Sequence, residues 1–467
     1  MSKIDLVLTE VDENLDDSTS KLLDLVAIPS ISSEASGRAG IAEAADWLRR
    51  ELLEIGFTTT VAETKGHPVV LARSTERPRI DDLRLLFYGH YDVQPVTPLD
   101  DWAHDPFAPE IIEEDGVHRF YGRGASDSKS QLWSFIEALR AWKSVYGTFP
   151  AEIVIMLEGE EETGSPSLAE FIEQYRDDLQ CDVAFICDSD MWSPTQPAIT
   201  TQLKGLIHEK VTISAPNPDL HSGHYGAVAA NPIRILSTIL SALHDDQGRV
   251  SLDGFYDAVI EISEHQREQW RSIAESADVG EGVSFAGGGI EDGYTPIEAM
   301  WGRPTVDING ISGGNQGPGE RSVLPGAASA RLSFRLVADQ DPQMVRDSFR
   351  KFVTSRVPSG CEVAFEGSGG SAAVRLSETN PFLRAAARGL EAEWQSPPVL
   401  KGTGGAIPLV GQLSQVLGLD CVVIGFILSS DAIHAPDEHY DVERFQRGTR
   451  SWVRIFEEVV KERTTAD

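Results

Sequence analysis

Leu85–Val93, which reads Leu-Leu-Phe-Tyr-Gly-His-Tyr-Asp-Val, is the stretch on which the predicted fold depends. Its first half is a continuous apolar run, as expected of a strand buried on both faces of a parallel sheet. It ends with His90 and Asp92, which lie on the same side of an extended chain because side chains alternate along a strand. One of these side chains can therefore bind a metal ion while the other works beside it.

The same arrangement recurs after two later apolar runs. Glu158–Glu162 follows Ile153–Leu157, and Asp188 follows Asp182–Cys187. A helical pattern at Ser130–Tyr146 precedes them. Alternating strands and helices predict an open α/β sheet, whose ligand crevice lies beyond the carboxyl ends of its strands.

The pattern divides the chain into two domains, as its length of 467 residues also suggests. After residue 203 the order becomes β-α-β-β-α-β, which is typical of a ferredoxin-like unit, with a long acidic and partly helical insertion at about 245–303. The α/β pattern returns at residue 380. We predict a discontinuous α/β domain at 1–203 and 380–467, which carries the crevice, and an inserted α+β domain at 204–379 whose sheet has helices on one face.

Composition excludes several functions. The formal charge of −33 opposes binding to nucleic acid, which requires a basic surface. No apolar run reaches the ~18 residues of a membrane span, and the N-terminus lacks the pattern of a secretory signal. The four cysteines have no paired spacing and lie in apolar stretches, so we predict buried thiols in a reducing cytoplasm.

The polar residues at the strand ends predict a metal centre. If they converge on one crevice, five carboxylates and two histidines share it: His90, Asp92, Asp127, Glu161, Glu162, Asp188 and His434. Five close negative charges cannot all remain ionised without cations. Two divalent ions would balance them, and mixed imidazole and carboxylate ligation favours Zn²⁺, with Mn²⁺ or Co²⁺ as alternatives. Ca²⁺ is disfavoured because it takes oxygen ligands.

Such a centre predicts hydrolysis. Two metal ions about 3.5–4 Å apart can hold a hydrolytic water between them and polarise a carbonyl oxygen. A further carboxylate can then take the proton of the water and pass it to the leaving amine. The adjacent Glu161 and Glu162 fit this division between base and ligand, and Asp92 would orient His90 or a metal ion from the second coordination shell.

Several motifs occur in an order that resembles a known family: His90–Asp92, Gly122–Lys129, Glu161–Ser165 and Asp219–Gly223. Together they are similar to the di-zinc peptidases that include carnosinases, aminoacylases, succinyl-diaminopimelate desuccinylases and the glutamate-releasing carboxypeptidase. The resemblance extends along nearly the whole chain. It is closest to the branch of cytosolic non-specific dipeptidases and carnosinases.

This resemblance implies a role for each metal ligand. His90 and Asp188 would bind one ion, Glu162 and His434 would bind the other, and Asp127 would bridge them. Asp190 is the alternative to Asp188.

The resemblance also implies roles for the remaining residues of the centre. Glu161 would be the general base and Asp92 would orient His90.

The resemblance further implies that the inserted domain is a lid and forms a homodimer. His221 would reach into the active site of the partner subunit and stabilise the oxyanion. Arg335 would pair with the C-terminal carboxylate of the substrate, and Asn309 and Ser322 are further candidate contacts. The alternatives are a surface histidine at 221 and a solvated strand face at 335.

One segment departs from the pattern of the related dipeptidases. Where they tend to carry Arg-x-Gly-Gly-Ser-Ile-Pro, Gly402–Pro408 reads Gly-Thr-Gly-Gly-Ala-Ile-Pro, so Ala406 replaces the serine and the arginine is absent. We predict a di-metal hydrolase of dipeptides or short peptides with a free C-terminus. One alternative is an N-acyl or N-carbamoyl amino acid amidohydrolase. Another is a non-catalytic metal-dependent binding protein, against which the presence of Glu161 and Asp92 argues, because a structural site needs no spare base.

Overall fold

Arg84–His90, which contains most of the stretch Leu85–Val93, forms a strand near the centre of a mixed β-sheet in the computed structural model. The structure describes residues 2–75, 78–80, 83–276, 289–405 and 408–465. The chain forms two units, Met1–Thr201 with Leu376–Leu400 and Pro408–Asp467, and Gln202–Arg375 with Lys401–Ile407. None of the helices in the described ranges combines the length and apolar character that a bilayer crossing requires. The mixed α/β class predicted from the sequence is confirmed.

The elements of the first unit alternate between helices and strands. In chain order its elements are α1 Lys3–Glu13, α2 Leu15–Val26, α3 Arg38–Glu54, β1 Phe57–Ala62, β2 Val69–Ser74, β3 Arg84–His90, β4 Glu110–Glu114, β5 Val117–Tyr121, α4 Ser130–Tyr146, β6 Glu152–Glu158, α5 Leu168–Gln174, α6 Arg176–Leu179, β7 Val183–Ile186 and β8 Ala198–Leu203.

The order of the strands explains where the polar residues gather. The main sheet runs β1-β2-β6-β3-β7 and continues through β17 (Cys421–Ile424) to β8. Strands β6, β3, β7 and β17 are parallel neighbours, while β1, β2 and β8 are antiparallel to theirs. The carboxyl ends of four central strands therefore meet at one edge of the sheet, where a ligand crevice is expected.

Helices cover the sheet through aromatic side chains. Phe87 of β3 stacks on Phe135 of α4 with ring centroids 3.7 Å apart, and Trp452 meets both rings edge-on. All three side chains are buried. Each buried side chain of this size contributes about 1.5–3 kcal/mol to the stability of the fold. The strand that ends at His90 is therefore held rigidly.

The second unit contains a small antiparallel sheet. Its elements are β9 Gly205–Ser214, β10 Leu220–His221, α7 Ser222–Tyr225, α8 Pro232–Ser241, α9 Glu264–Ser276, α10 Pro296–Gly302, β11 Thr305–Gly313, β12 Val323–Leu324, β13 Ala327–Leu336, α11 Pro342–Thr354, β14 Glu362–Glu366 and β15 Val374–Arg375. The sheet order β11-β13-β9-β14, with α8 and α11 as the two crossovers, is the β-α-β-β-α-β arrangement predicted from the sequence.

The two faces of this sheet differ in character. Burial alternates along β9, and its buried residues Ile207, Val211 and Ile213 pack with apolar residues of α8 and α11. The opposite face carries partly or fully exposed residues such as His208 and Lys210. The helices thus cover one face, as the alternating pattern predicts.

The chain then completes the first unit, except for Lys401–Ile407, which belongs to the second. The remaining elements are α12 Pro381–Trp394, β16 Val399–Thr403, α13 Pro408–Gln412, β17 Cys421–Ile424, β18 His439–Asp441 and α14 Val442–Thr465. β18 pairs with β5 in a separate three-stranded sheet. Residues 425–438, between β17 and β18, carry His434 to the carboxyl edge of the main sheet.

Candidate metal centre

The strand ends bring polar side chains to one edge of the main sheet. His90 is the last residue of β3, Glu161 and Glu162 lie in a helical turn after β6, and Asp188 follows β7. Asp127 comes from Ala125–Lys129, a kinked segment that precedes α4 and contains a cis Asp127-Ser128 peptide bond. Residues from distant parts of the sequence therefore share one site.

The first group of candidate ligands contains His90, Asp127 and Asp188, whose ligand atoms all lie within 4.8 Å of one another. His90 Nε2 is 3.1 Å from Asp127 Oδ1 and 3.7 Å from Asp188 Oδ1. His90 Nδ1 is 3.1 Å from the backbone oxygen of Asp92, which suits a donated hydrogen bond. The other nitrogen, Nε2, then presents its lone pair to the group when the imidazole is neutral.

The second group contains Asp127, Glu162 and His434, again with ligand atoms within 4.8 Å. His434 Nε2 is 3.0 Å from Asp127 Oδ2 and 3.3 Å from Glu162 Oε2. Asp127 belongs to both groups and offers a different oxygen to each histidine. Asp127 is therefore the residue that the two groups share.

Asp92 organises the turn after β6. Its two carboxylate oxygens each accept a backbone hydrogen bond of 3.1 Å, one from the N–H of Glu161 and one from the N–H of Glu162. Oδ1 is also 3.4 Å from His90 Nδ1. The fully buried Asp92 thus links the orientation of His90 to the turn that carries both glutamates.

The electrostatics of the site reflect its crowded carboxylates. Hydrogen bonds to Asp127 and Glu162 raise the pKa of His434 to about 10. Burial opposes protonation of His90, but its hydrogen bonds to Asp127 and neighbouring carboxylates raise its pKa as well. Burial likewise acts against ionisation of Asp127, whereas its hydrogen bonds to both histidines lower its pKa. The carboxylates thus favour positive charge on both histidines, and the same carboxylates would stabilise metal ions bound in place of those protons.

Glu161 differs from its neighbour. Burial raises its pKa to about 8, an effect that the nearby His90 opposes and the charges of Asp188 and Glu162 reinforce. It belongs to neither ligand group found among the described residues. A carboxyl group with an elevated pKa beside a metal centre is suited to exchanging protons.

The donor set fits divalent metal ions. Glu162 Oε1 is buried and accepts no hydrogen bond from the part of the chain that the structure describes. An unsatisfied buried carboxylate oxygen is costly, and a bound cation would satisfy it. Nitrogen and oxygen donors together match Zn²⁺, Mn²⁺ or Co²⁺ better than Ca²⁺.

Gln94 is a residue of this site that the sequence reasoning missed. Its Nε2 donates a hydrogen bond of 2.8 Å to Glu162 Oε2, the same oxygen that faces His434. Gln94 follows Asp92 by two residues, as Asp92 follows His90. Extending the alternation by one step would have indicated it.

Asp190 lies elsewhere. It is exposed and forms a bridge with Ile427, and it is in neither ligand group of the described residues. Asp188 occurs in the first group.

Two of the four candidate substrate contacts lie together in the second unit. His221 and Ser322 belong to neighbouring segments, because β10 pairs with β12 and the N–H of Ser222 donates to the carbonyl of Ser322. The exposed His221 accepts a hydrogen bond of 3.1 Å at Nδ1 from the N–H of Gly223. This bond places the proton of a neutral imidazole on Nε2, which is then free to act as a donor.

Asn309 and Arg335 lie on the four-stranded sheet. Asn309 is the extra residue of a bulge in the edge strand β11, between Ile308 and Gly310. Arg335 is partly buried in β13, opposite Thr305 and Leu206. The four candidate contacts thus fall into two places rather than one cluster.

Packing explains one of the departures of Gly402–Pro408 from the pattern of the related dipeptidases. A Cβ atom at Gly402 would lie 2.6 Å from Cβ of the buried Trp301, which is closer than real Cβ contacts. An arginine therefore cannot replace Gly402 unless Trp301 moves. Ala406, the other departure, lies outside the described residues.

Comparison with known proteins defines the class to which this fold and site belong. Residues 86–458 match the model of peptidase family M20/M25/M40. The chain belongs to this family, which confirms the resemblance indicated by the motifs.

Individual relatives agree with the dipeptidase and carnosinase branch. The chain is 28% identical to the Cys-Gly metallodipeptidase DUG1 of Candida albicans, with 92% of each chain covered. It is also 28% identical to the human Beta-Ala-His dipeptidase, over 84% of this chain and 78% of the relative.

Among solved structures, the dipeptidase Dug1p of Saccharomyces cerevisiae has a TM-score of 0.73 at 25% identity, and 99% of both chains is covered. The M20 family metallo-carboxypeptidase Sso-CP2 of Sulfolobus solfataricus has a TM-score of 0.75 at 29% identity, covering 95% of this chain and 99% of the other.

Proposed function

We propose that the protein is a di-metal hydrolase that cleaves the peptide bond of dipeptides or short peptides with a free C-terminal carboxylate. The observation that carries this proposal is the pair of ligand groups that share Asp127, with one histidine in each. The relatives named as dipeptidases support the substrate class. The preferred metal is Zn²⁺, with Mn²⁺ and Co²⁺ as alternatives.

The protein residues would divide the work as follows. His90 and Asp188 would hold one ion, Glu162 and His434 would hold the other, and Asp127 would serve both. When bound, the two ions supply an activated water and polarise the scissile carbonyl.

Two carboxylates complete the centre without binding metal. Glu161 takes a proton from the attacking water and transfers it to the leaving amine, and its elevated pKa supports this role. Asp92 keeps His90 and the turn with both glutamates in register.

Substrate recognition is assigned to the second unit. Arg335 pairs with the C-terminal carboxylate of the substrate, because a guanidinium group binds a carboxylate through two parallel hydrogen bonds. His221 donates from Nε2 to the oxyanion in the active site of a partner subunit, and its tautomer is suited to that donation. Asn309 and Ser322 are assigned to further substrate contacts.

The second unit would also be the lid and the dimerisation domain. Strand β11 lies at the edge of the four-stranded sheet and exposes Ile308 and Ile311. An edge strand with exposed apolar side chains is suited to pairing with a second copy of the chain. The location would be cytoplasmic, in keeping with four free cysteines, of which three are buried.

Two other functions use the same residues. An N-acyl or N-carbamoyl amino acid amidohydrolase would need the same metal centre with a different acyl pocket, and the altered Gly402–Pro408 segment is the observation that keeps this candidate open. A non-catalytic metal-binding protein would need no base, yet Glu161 stands beside the ligands.

One screen tests the proposal. Protein loaded with Zn²⁺ or Mn²⁺ is assayed against a panel of dipeptides and, separately, N-acyl and N-carbamoyl amino acids. Hydrolysis of dipeptides and its loss on C-terminal amidation are expected. Hydrolysis confined to acylated or carbamoylated amino acids would replace the dipeptidase proposal with the amidohydrolase, and no hydrolysis of either panel by fully loaded protein would favour the binding protein.

A further inference from the structure

Two fully buried carboxylates flank His434 in sequence, Asp431 three residues before it and Glu438 four residues after it. Neither belongs to the two ligand groups found among the described residues. Both are hydrogen-bonded to the loop that carries Asp127. We infer that Asp431 and Glu438 are positioning residues that hold the bridging carboxylate of Asp127 in register with His434. This inference rests on the proposed metal centre.

Glu438 binds the backbone of the Asp127 loop. Its Oε1 accepts hydrogen bonds from the N–H groups of Ser126 and Asp127 at 2.9 and 3.0 Å. Its Oε2 accepts from the N–H of Gly124 at 3.0 Å and from Arg123 Nη1 at 2.8 Å. Both oxygens are thus fully engaged, and the arginine balances the buried charge.

Asp431 binds the same loop through a side chain. Its Oδ2 accepts a hydrogen bond of 2.6 Å from Ser126 Oγ. Arg444 of α14 donates to both oxygens at 2.7 Å, so this second buried charge is also balanced. Because α14 packs in the core of the first unit, Asp431 anchors the loop to a rigid helix.

The geometry of the bridge explains why two anchors are needed. Asp127 must direct Oδ1 towards His90 and Oδ2 towards His434, at 3.1 and 3.0 Å in this structure. The two histidines come from different segments, so a small shift of the loop would improve one distance and worsen the other. Asp431 and Glu438, on either side of His434 in the sequence, prevent such a shift. Replacing a residue that orients a metal ligand commonly weakens metal binding 10- to 100-fold.

The substitution E438Q tests this role. The glutamine carries an NH2 group in place of one carboxylate oxygen. Because this group donates and must face two other donors, at least two of the four hydrogen bonds are lost. We expect the dissociation constants of both metal ions, measured by competition with a chromophoric chelator, to rise about 10- to 100-fold. The visible absorption of the Co²⁺-loaded protein should shift as well, because it reports ligand geometry rather than folding.

The matched control is E209Q. Glu209 is equally buried and accepts hydrogen bonds from Arg346 and Arg350 at 2.6 and 3.0 Å, but it lies in the second unit. Both substitutions remove a buried, arginine-paired charge and should lower the melting temperature. Only E438Q should change the metal dissociation constants and the Co²⁺ spectrum.

Each outcome separates the inference from the proposed function. If the wild-type protein binds no pair of divalent ions, the metal centre itself fails. If wild-type binds two ions and folded E438Q binds them with the same constants and the same spectrum, the positioning role is overturned while the centre stands. Should E438Q not fold, S126A carries the test, because it removes only the hydroxyl that Asp431 binds, and the same two measurements decide.

Discussion

His434 Nε2 lies 3.0 Å from Asp127 Oδ2, although 307 positions separate the two residues in the chain. The contact joins the segment before α4 to the segment between β17 and β18. Each partner shifts the pKa of the other towards its charged form. A metal ion between them would make the same long-range connection more strongly.

Metal removal should therefore lower stability as well as activity. A ligand present at 100 times its dissociation constant stabilises the folded state by about 2.7 kcal/mol, and two ions contribute more. We expect chelation to lower the melting temperature by several degrees and to abolish peptide hydrolysis. Calorimetry before and after dialysis against chelator measures the first effect, and restoring Zn²⁺ or Mn²⁺ controls for irreversible damage. An unchanged melting temperature in verified metal-free protein would contradict the metal centre.

Replacing Glu161 should separate metal binding from catalysis. E161Q keeps the volume and polarity of the side chain but removes the proton-accepting carboxylate, so turnover should fall by about 10²-fold or more. Metal stoichiometry should stay at the wild-type value, because Glu161 belongs to neither ligand group. The two quantities are measured on the same sample by metal analysis and steady-state kinetics. Near-normal turnover would rule out Glu161 as the base, and loss of metal would make it a ligand.

The convergence of the candidate ligands could be predicted because it follows from strand order. His90, Glu162 and Asp188 each follow an apolar run, and parallel strands place their carboxyl ends together. The sequence did not predict α1, Lys3–Glu13, whose capping box between Ser2 and Asp5 is a short local signal. Nor could it indicate Glu438, because its role consists of hydrogen bonds to backbone N–H groups more than 300 positions away.

In the second unit, a local pattern could be predicted from the sequence but a long-range contact could not. The alternation along β9 predicted its covered face, because burial and strand period are local properties. The packing of Trp301 against Gly402 joins two segments a hundred residues apart, and glycine leaves no hydrophobic pattern. The missing arginine was therefore visible in the sequence, whereas the tryptophan beside Gly402 was visible only in the structure.

The proposed role of His221 across a dimer predicts complementation. H221A should lose turnover while it retains metal, since His221 lies in the second unit and in neither ligand group. In mixed dimers with E161Q, one site combines intact Glu161 with intact His221 from the partner chain. Random mixing at equal concentrations makes half of the dimers mixed, each with one competent site, so about a quarter of wild-type activity should return.

The measurement requires subunit exchange, followed with two affinity tags. The control mixes two H221A samples that carry the two different tags, because their mixed dimers contain no competent site. Failure to recover activity in purified mixed dimers would show that His221 does not act in the site of the partner subunit.

Lys204 gives a pH-dependent prediction in the second unit. Its side chain is buried and Nζ donates a hydrogen bond of 2.9 Å to the carbonyl of Ala299. Burial lowers its pKa from 10.5 to about 8, against the attraction of Asp307. The folded protein therefore binds fewer protons than the unfolded chain between about pH 8 and 10.5, so this residue makes stability rise with pH across that window.

The substitution K204M should reveal this cost. Below pH 8 the wild-type protein bears the full penalty of a buried ammonium, of the order of 3 kcal/mol, and the penalty disappears by about pH 10.5. The hydrogen bond lost with the lysine, worth about 1 kcal/mol, offsets part of the gain.

Urea unfolding of metal-loaded wild-type and K204M proteins at several pH values measures the difference in the free energy of unfolding. We expect K204M to be the more stable protein at pH 7, and its advantage to shrink or reverse by pH 10.5. K351M, at an exposed lysine, controls for the loss of a surface charge. A difference between wild-type and K204M that stays constant from pH 7 to 10.5 would mean that Lys204 carries no such penalty, and a wild-type advantage at pH 7 would contradict the prediction.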